Sequence, residues 1–413
     1  MNRFEIMSPV GSFESLMAAI QGGADSVYFG IGRLNMRSRS SVNFSIEDLE
    51  NIVNICKQNN INSYLTLNTV MFDEELNEVE TIISKAKSVG VNAIIASDMS
   101  VFNIAQKHHI QIHASTQTNI TNIEALKFYS KYSDVVVLAR EVNLKQIKKI
   151  AKQIEEQNIT GPSGNLVRLE IFIHGALCMS VSGKCYLSLD TQNYSANRGA
   201  CLQPCRRGYI VKDKEEENIE MAIENEYIMS PQDLCTIGFL DKIVEAGISI
   251  FKIEGRGRSP EYVKKVTQCY KHALNSIEEG TYTEEKIEKW TEELKSVYNR
   301  GFWNGYYLGQ RLGEWTKRYG SQATKTKIYI GKITNFFSNI NVAEIKIETG
   351  ELSLNDEIVI IGPSTGVIET NVSEIRVELK KVNNTIKGET CSIPIGTTVR
   401  RSDKLYKLVL NNE

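Results

Sequence analysis

Short apolar runs alternate with amphipathic stretches over about the first 255 residues of the chain. The runs at residues 4–7, 26–29, 63–67, 93–96, 111–113, 135–138, 169–173 and 250–253 are nearly continuous, as in strands buried on both faces. Helical periodicity fills the intervals, as at residues 46–58, 73–89 and 144–157. This alternation predicts a parallel sheet covered by helices. Eight such units in about 250 residues match a TIM-like (β/α)8 barrel, an α/β fold, with a doubly wound open sheet as the alternative.

The rhythm breaks after residue 173, where the seventh connection runs for 76 residues. Long connections after a barrel strand tend to carry function. Within it, residues 226–229 suggest an extra strand and residues 231–246 the helix belonging to the barrel. Two charged amphipathic helices follow at 260–279 and 283–298, then an aromatic, Gly-rich stretch at 301–313. From residue 326 the pattern changes to period two with turn residues between runs, which predicts a small all-β barrel or sandwich. The expected organisation is a TIM-like barrel over 1–258 with a cysteine-bearing insertion at 174–235, a helical extension over 259–322, and a C-terminal β-barrel domain over 323–413.

Composition changes this picture only at a few points. The 413 residues are 41% hydrophobic and 24% charged, with a net charge of −2. That balance argues against a nucleic-acid binder relying on bulk positive charge and leaves only local basic patches. The N-terminus lacks a basic region followed by an apolar core, and no apolar run approaches the roughly 20 residues of a membrane span, so a cytoplasmic location is expected. In a reducing compartment, eight cysteines point to metal or redox chemistry rather than disulfides. Cys56, Cys269 and Cys391 stand in apolar contexts and read as core thiols.

The other five cysteines fall in the long connection. HGALCMSVSGKC, from His174 to Cys185, separates Cys178 and Cys185 by six residues, and RGACLQPCRRGY separates Cys201 and Cys205 by three. Four thiolates from one segment suit tetrahedral zinc or an iron–sulfur cluster. Structural zinc favours tight knuckles at both ends, which Cys178 and Cys185 do not make, so the spacing leans toward iron–sulfur. Cys235, at the start of an expected helix, is left out of the set. Arg198, Arg206, Arg207, Lys212 and Lys214 surround the thiols with Tyr186, Tyr194 and Tyr209 interleaved. Such a patch stabilises an anionic cluster or contacts RNA, unless it is simply a solvated loop.

Barrel enzymes place reacting groups at the C-terminal ends of strands. Those positions here hold Ser8, Asn35, Arg37, Asn68, Ser97, Asp98, His113, Ser115, Gln117, Arg140, Glu141, His174, Glu254 and Arg256, with Ser97 or Asp98 a plausible helix cap. In EGRGRSPEYV, Ser259 and Pro260 open a helix after the eighth strand, the usual phosphate position of the fold, and Arg256 and Arg258 would add forked contacts to an anion. A capped helix with surface arginines would look the same. No H-E-x-x-H or G-x-S-x-G occurs. A Cys178–His174 nucleophile and base pair would leave three cysteines unexplained.

The segments SPVGSFESLMAAIQGGADSVYFG, NMRSRSSVNF, LAREV, HGALCMSVSGKC, NRGACLQPCRRGY, SPQDLC and KIEGRGRSPEYV carry a resemblance. The chain resembles a collagenase-like family filed as peptidases of unknown mechanism, and in length and C-terminal domain it is similar to the members that hydroxylate tRNA uridine at carbon 5. That resemblance implies an oxygen-independent hydroxylase of the wobble uridine, with a 4Fe–4S cluster on Cys178, Cys185, Cys201 and Cys205 and prephenate as the hydroxyl source. Other members act on ribosomal RNA bases or ubiquinone precursors. On this reading His113, Glu141, His174 and Glu254 are candidates for proton transfer by position, and Arg37, Arg140, Arg256 and Arg258 for binding the anionic co-substrate. Arg198, Arg206 and Arg207 would contact RNA, with tRNA and a homologous subunit as partners. The alternatives are a peptidase built on Cys178 and His174, and a non-catalytic RNA- or protein-binding subunit with structural zinc.

Overall fold

A computed structural model describes residues 4–39, 43–208, 215, 229–310, 313–316 and 320–411. Strands β1 (Glu5–Pro9), β2 (Ser26–Gly30), β3 (Asn62–Leu67), β4 (Ala93–Ala96), β5 (Gln111–Ala114), β6 (Val135–Val137) and β7 (Arg168–Ala176) pair in order, all parallel. A short β8 (Asp233–Cys235) intervenes before β9 (Ile250–Ile253), which pairs in parallel with both β7 and β1 and closes an eight-stranded barrel. The open-sheet alternative is thereby excluded. Alternate side chains point outward to the helices: Ile6, Leu65 and Ile94 are fully buried there. Each such burial stabilises the fold by about 1.5–3 kcal/mol. The inward set includes Met7, Tyr28, Tyr64, Ile95 and Ile250.

Helices α1 (Phe13–Gln21), α2 (Asp48–Gln58), α3 (Leu76–Val89), α4 (Met99–Lys107), α5 (Ile123–Ser130) and α6 (Leu144–Glu156) fill the expected connections. Their starts are written in the sequence: the Ser12 hydroxyl accepts from the Ser15 amide, and Asn143 and Gln146 cap each other's backbone. Asp98 caps α4, while the Ser97 hydroxyl donates to the Asn68 carbonyl instead.

Two expectations are corrected. The helix expected at 231–246 is a strand at its start, because β8 pairs antiparallel with the upper half of β7, His174 opposite Cys235. After α7 (Leu187–Gln192) in the insertion, only α8 (Leu240–Glu245) is helical in that stretch. The boundary expected at residue 258 separates a strand from its own helix. The helix α9 (Pro260–Glu278) completes the barrel's outer ring, burying Tyr262, Val266 and Tyr270 in the same core as α1 and β1. The next helix, α10 (Glu284–Lys295), packs on α9, and β10 (Phe302–Trp303) extends β8.

The C-terminal region is all-β. One antiparallel sheet of eight strands contains β11 (Lys325–Phe337) and β12 (Val342–Ile347), and a separate two-stranded sheet begins at β13 (Glu351–Ser353). In the larger sheet β14 (Glu357–Gly362) pairs with the edge strand β15 (Gly366–Asn371). The domain has its own core around Ile345, Ile358 and Leu405, yet Val359, Ile361 and Val367 join the barrel's core. Polar contacts reinforce that seam: the Gln21 side chain donates to Thr365 O and accepts from the Val367 amide, both at 2.8 Å.

Candidate active site

The C-terminal mouth of the barrel holds a cavity of about 140 Å³, roofed by the cysteine insertion. The insertion is fixed to the barrel loops at several points. Gly199 sits so close to the loop after β2 that a Cβ there would lie 2.2 Å from Asn35 O, and Ser38 donates to the Gly199 carbonyl. Arg198 bonds Glu75 and the Val70 carbonyl and lies 4.1 Å over the Phe72 ring. It is thus occupied in holding the insertion down rather than open to RNA. Arg206 donates to Leu177 O and Pro231 O, both at 2.6 Å, and so ties the second cysteine pair to the residue before Cys178. Of the three basic residues expected to contact RNA, Arg207 alone is exposed. Tyr209, Lys212, Lys214 and residues 226–228 lie outside the described residues.

Cys178, Cys185, Cys201 and Cys205 all line the cavity. Burial pushes the Cys205 thiol up to about 11; Arg206 opposes the rise and the other three thiols add to it. The other three therefore lie within electrostatic reach of Cys205. Among the described residues, no three His, Cys, Asp or Glu side chains form a ready cage for a single metal ion. Cys235 is buried away from the cavity with the Tyr270 hydroxyl 3.8 Å from its sulfur, and Cys56, Cys269 and Cys391 are core thiols.

Three of the four arginines named for anion binding line the cavity: Arg37, Arg140 and Arg256. Arg37 pairs with Glu254 at 2.9 Å. Burial alone would raise the Glu254 carboxyl, but Arg37, Arg258 and Arg140 outweigh it and hold it down at about 2. Arg256 donates to the Thr66 hydroxyl at 2.8 Å, and burial pulls its guanidinium down to about 10. Gly30 makes the room: a Cβ there would lie 2.5 Å from Arg256 Nη1. Arg140 donates to Ala176 O and lies 4.2 Å over the Phe172 ring, while its buried Nε has no partner. Arg258 is elsewhere, 3.7 Å over the Tyr298 ring and 4.0 Å from Asp233.

Of the four proton-transfer candidates, Glu254 alone lines the cavity. Glu141 is exposed on the rim. His174 is buried against Tyr262, Tyr270 and Phe302, with Nδ1 3.3 Å from the Tyr270 hydroxyl; burial and Arg258 lower it to about 3. It therefore stays neutral, and the Cys178–His174 pair is not assembled. His113 lies beneath the floor, its Nδ1 3.1 Å from Glu170, which accepts from Lys252 at 2.7 Å. Burial opposes ionisation of Glu170, yet Lys252 and His113 hold it down at about 2.

Lys252 reaches the cavity and was not singled out in the sequence. Its signal was a lone charge inside the apolar strand at 250–253, matched by Glu170 inside 169–173. Across the mouth, Asn68 donates to Ser115 and Gln117, and the unpartnered Thr116 hydroxyl is buried in the same wall. A barrel mouth carrying four thiols and a set of guanidiniums is equipped to hold an anionic or electron-rich group.

Residues 11–317 match the model for peptidase family U32, and the chain belongs to that family. It is 58% identical over 406 residues to a protein named collagenase from Porphyromonas gingivalis, spanning 98% of each chain. It is 30% identical over 391 residues to tRNA hydroxylation protein P of Helicobacter pylori, covering 91% of this chain and 87% of the relative. It is also 34% identical over 277 residues to the 23S rRNA 5-hydroxycytidine C2501 synthase of Escherichia coli, covering 67% of this chain and 40% of that one. Among the described residues, no helix is long and apolar enough to cross a membrane.

Proposed function

We propose that this protein is an iron–sulfur enzyme that hydroxylates a tRNA uridine at carbon 5 without molecular oxygen, with prephenate as the source of the hydroxyl group. The observation that carries the reading is the set of four thiols lining one cation-rich cavity at a barrel mouth. Cys178, Cys185, Cys201 and Cys205 would hold a 4Fe–4S cluster. A single zinc ion needs four sulfurs about 2.3 Å from one point. Four thiols around one cavity would give each iron of a 4Fe–4S cluster its own sulfur ligand. When bound, the cluster would supply redox or Lewis-acid chemistry.

The chain's own residues would do the rest. Arg140 and Arg256, held by neutral oxygens rather than by carboxylates, keep their charge for the two carboxylates of the co-substrate. Arg37 fixes Glu254 as a carboxylate, which makes Glu254 an acceptor rather than a donor of protons near neutral pH. Lys252, anchored on Glu170, places a donor at the floor. The relatives with tRNA and rRNA hydroxylation in their names support RNA as the substrate class.

The relative named collagenase favours a second reading, a peptidase with Cys178 as nucleophile. The burial of His174 against Tyr270 leaves Cys178 without that base. Iron and sulfide analysis with a visible spectrum on anaerobically purified protein separates the two. One zinc per chain and no visible band would remove the cluster. Nucleoside mass spectrometry of tRNA, from a host lacking its own hydroxylases and expressing this protein, should show 5-hydroxyuridine. Collagen peptide cleavage that survives cluster removal and is lost in Cys178→Ala would establish the peptidase instead.

A further inference from the structure

A second cleft of about 400 Å³ lies on the outer side of the cysteine insertion. Cys201, Gln203 and Arg206 line both spaces, so this segment is a common wall between the inner cavity and the outer cleft. The outer cleft is lined by Arg39, Arg206, Arg207 and Arg300, and no carboxylate belongs to its described lining. The four differ in what their guanidiniums have left to give. Arg206 is used up on backbone carbonyls and the Ser230 hydroxyl, and Arg300 is paired with Asp233 at 3.2 Å. Arg39 and Arg207 are exposed, and neither is bonded to a carboxylate among the described residues.

Aromatic rings adjoin these charges. Tyr298 lines the cleft with Arg300 5.2 Å from its centroid, and Arg39 lies 4.9 Å over the Tyr194 ring. Outside the cleft lining, Tyr186 on the insertion is 74% exposed directly after Cys185, and Phe72 in the loop after β3 is 55% exposed beneath Arg198. Guanidinium forks beside exposed rings suit single-stranded RNA, whose phosphates take the forks and whose unstacked bases lie on the rings. An acidic protein would answer the charge but gives no role to the open rings.

We infer that the outer cleft binds the phosphodiester backbone of single-stranded RNA through Arg39 and Arg207, beside the base presented to the inner cavity. The inference rests on the RNA-hydroxylase reading and adds a binding site to it. Because the Cys201–Arg206 segment is the shared wall, the bound phosphate and the reacting base would lie on opposite sides of one strip of chain.

The test uses cluster-loaded, full-length protein and an anticodon-type stem-loop RNA. Fluorescence anisotropy is read between about 50 and 200 mM salt, and 5-hydroxyuridine is read by mass spectrometry. The Arg39→Glu/Arg207→Glu variant should keep its iron content and melting temperature and bind the stem-loop at least about ten-fold more weakly. Its salt slope should fall by about 1.4, from two lost single-strand contacts. The Arg39→Gln/Arg207→Gln variant, with less risk to folding, should show a smaller loss in the same direction, and turnover in both should recover at high RNA concentration. Unchanged affinity and slope in both variants, with wild-type protein active, would overturn the cleft and leave the hydroxylase standing. Full RNA affinity with turnover lost only when a protein supplies the electrons would assign the cleft to an acidic partner and also overturn it. A wild-type protein that forms no 5-hydroxyuridine removes the parent reading itself.

Discussion

The lower half of the barrel interior and its mouth treat charge in opposite ways. Below, each ionised group faces a counter-charge: Glu170 sits between Lys252 and His113, and Glu5 accepts from Tyr64 and Arg168. At the mouth, Arg37 is closed on Glu254, but Arg140, Arg206 and Arg256 donate to neutral oxygens. Closed pairs stabilise one arrangement, whereas a surplus of one sign is open to a ligand of the other. The proposed occupants, a thiolate-bound cluster and a dicarboxylate, carry the sign that the surplus lacks.

The sharpest way to break this contrast is to remove the thiols. Cys201→Ser or Cys205→Ser should abolish the visible absorption and lower hydroxylation by more than about a hundred-fold, near the 3 kcal/mol of a lost catalytic centre. Full activity in either variant would sever the cavity from the chemistry. Next in size is the closed network: Glu170→Gln strands a buried lysine and should cost about 3–5 kcal/mol in a denaturant melt. The pair Glu170→Gln/Lys252→Met should regain much of that, and no loss in the single variant would show the network open after all.

A smaller effect is expected at the surplus. Arg140→Ala should weaken binding of the dicarboxylate by about 10- to 100-fold while stability changes by less than about 1 kcal/mol, since its carbonyl partner is on half-buried Ala176 at the cavity wall. Calorimetry and a melt check the two halves separately.

A separate effect concerns pH. His174 is lowered to about 3 in the folded protein, so its burial contributes stability fully above the unfolded value near 6.5. As pH falls from about 6.5 toward 3, the unfolded chain takes the proton first. Stability should then drop by up to about 1.4 kcal/mol per pH unit from this group. His174→Phe should flatten that limb of the stability profile. Glu254, lowered to about 2, should leave no activity limb between pH 4 and 5.

Much of the barrel was legible because each strand is an apolar run bounded by turn residues. The short β8 was not, since three residues in Asp233–Cys235 carry no periodicity and owe their form to the free upper edge of β7. The four cysteines were found by spacing, but the fates of their neighbours were not. Arg206 and Arg207 are identical and adjacent, yet one is half-buried and spent on backbone carbonyls while the other faces solvent. His174 and Cys178 are four apart in sequence and diverge because β7 carries the histidine into the packing around Tyr270. Lys252 and Glu170 were visible as charges inside strands, but only closure of the barrel brings them together.

The clasp at Gln21 carries a further consequence. Its amide meets the edge strand β15 as another peptide would, one bond in each direction. The clasp therefore does two jobs: it shields an open sheet edge from pairing with a stranger, and it removes a hinge. With Val359, Ile361 and Val367 sunk into the barrel's core, the β-domain moves with α1 as one piece. Any substrate long enough to touch both parts meets a ruler of fixed length, and the bending falls to the substrate.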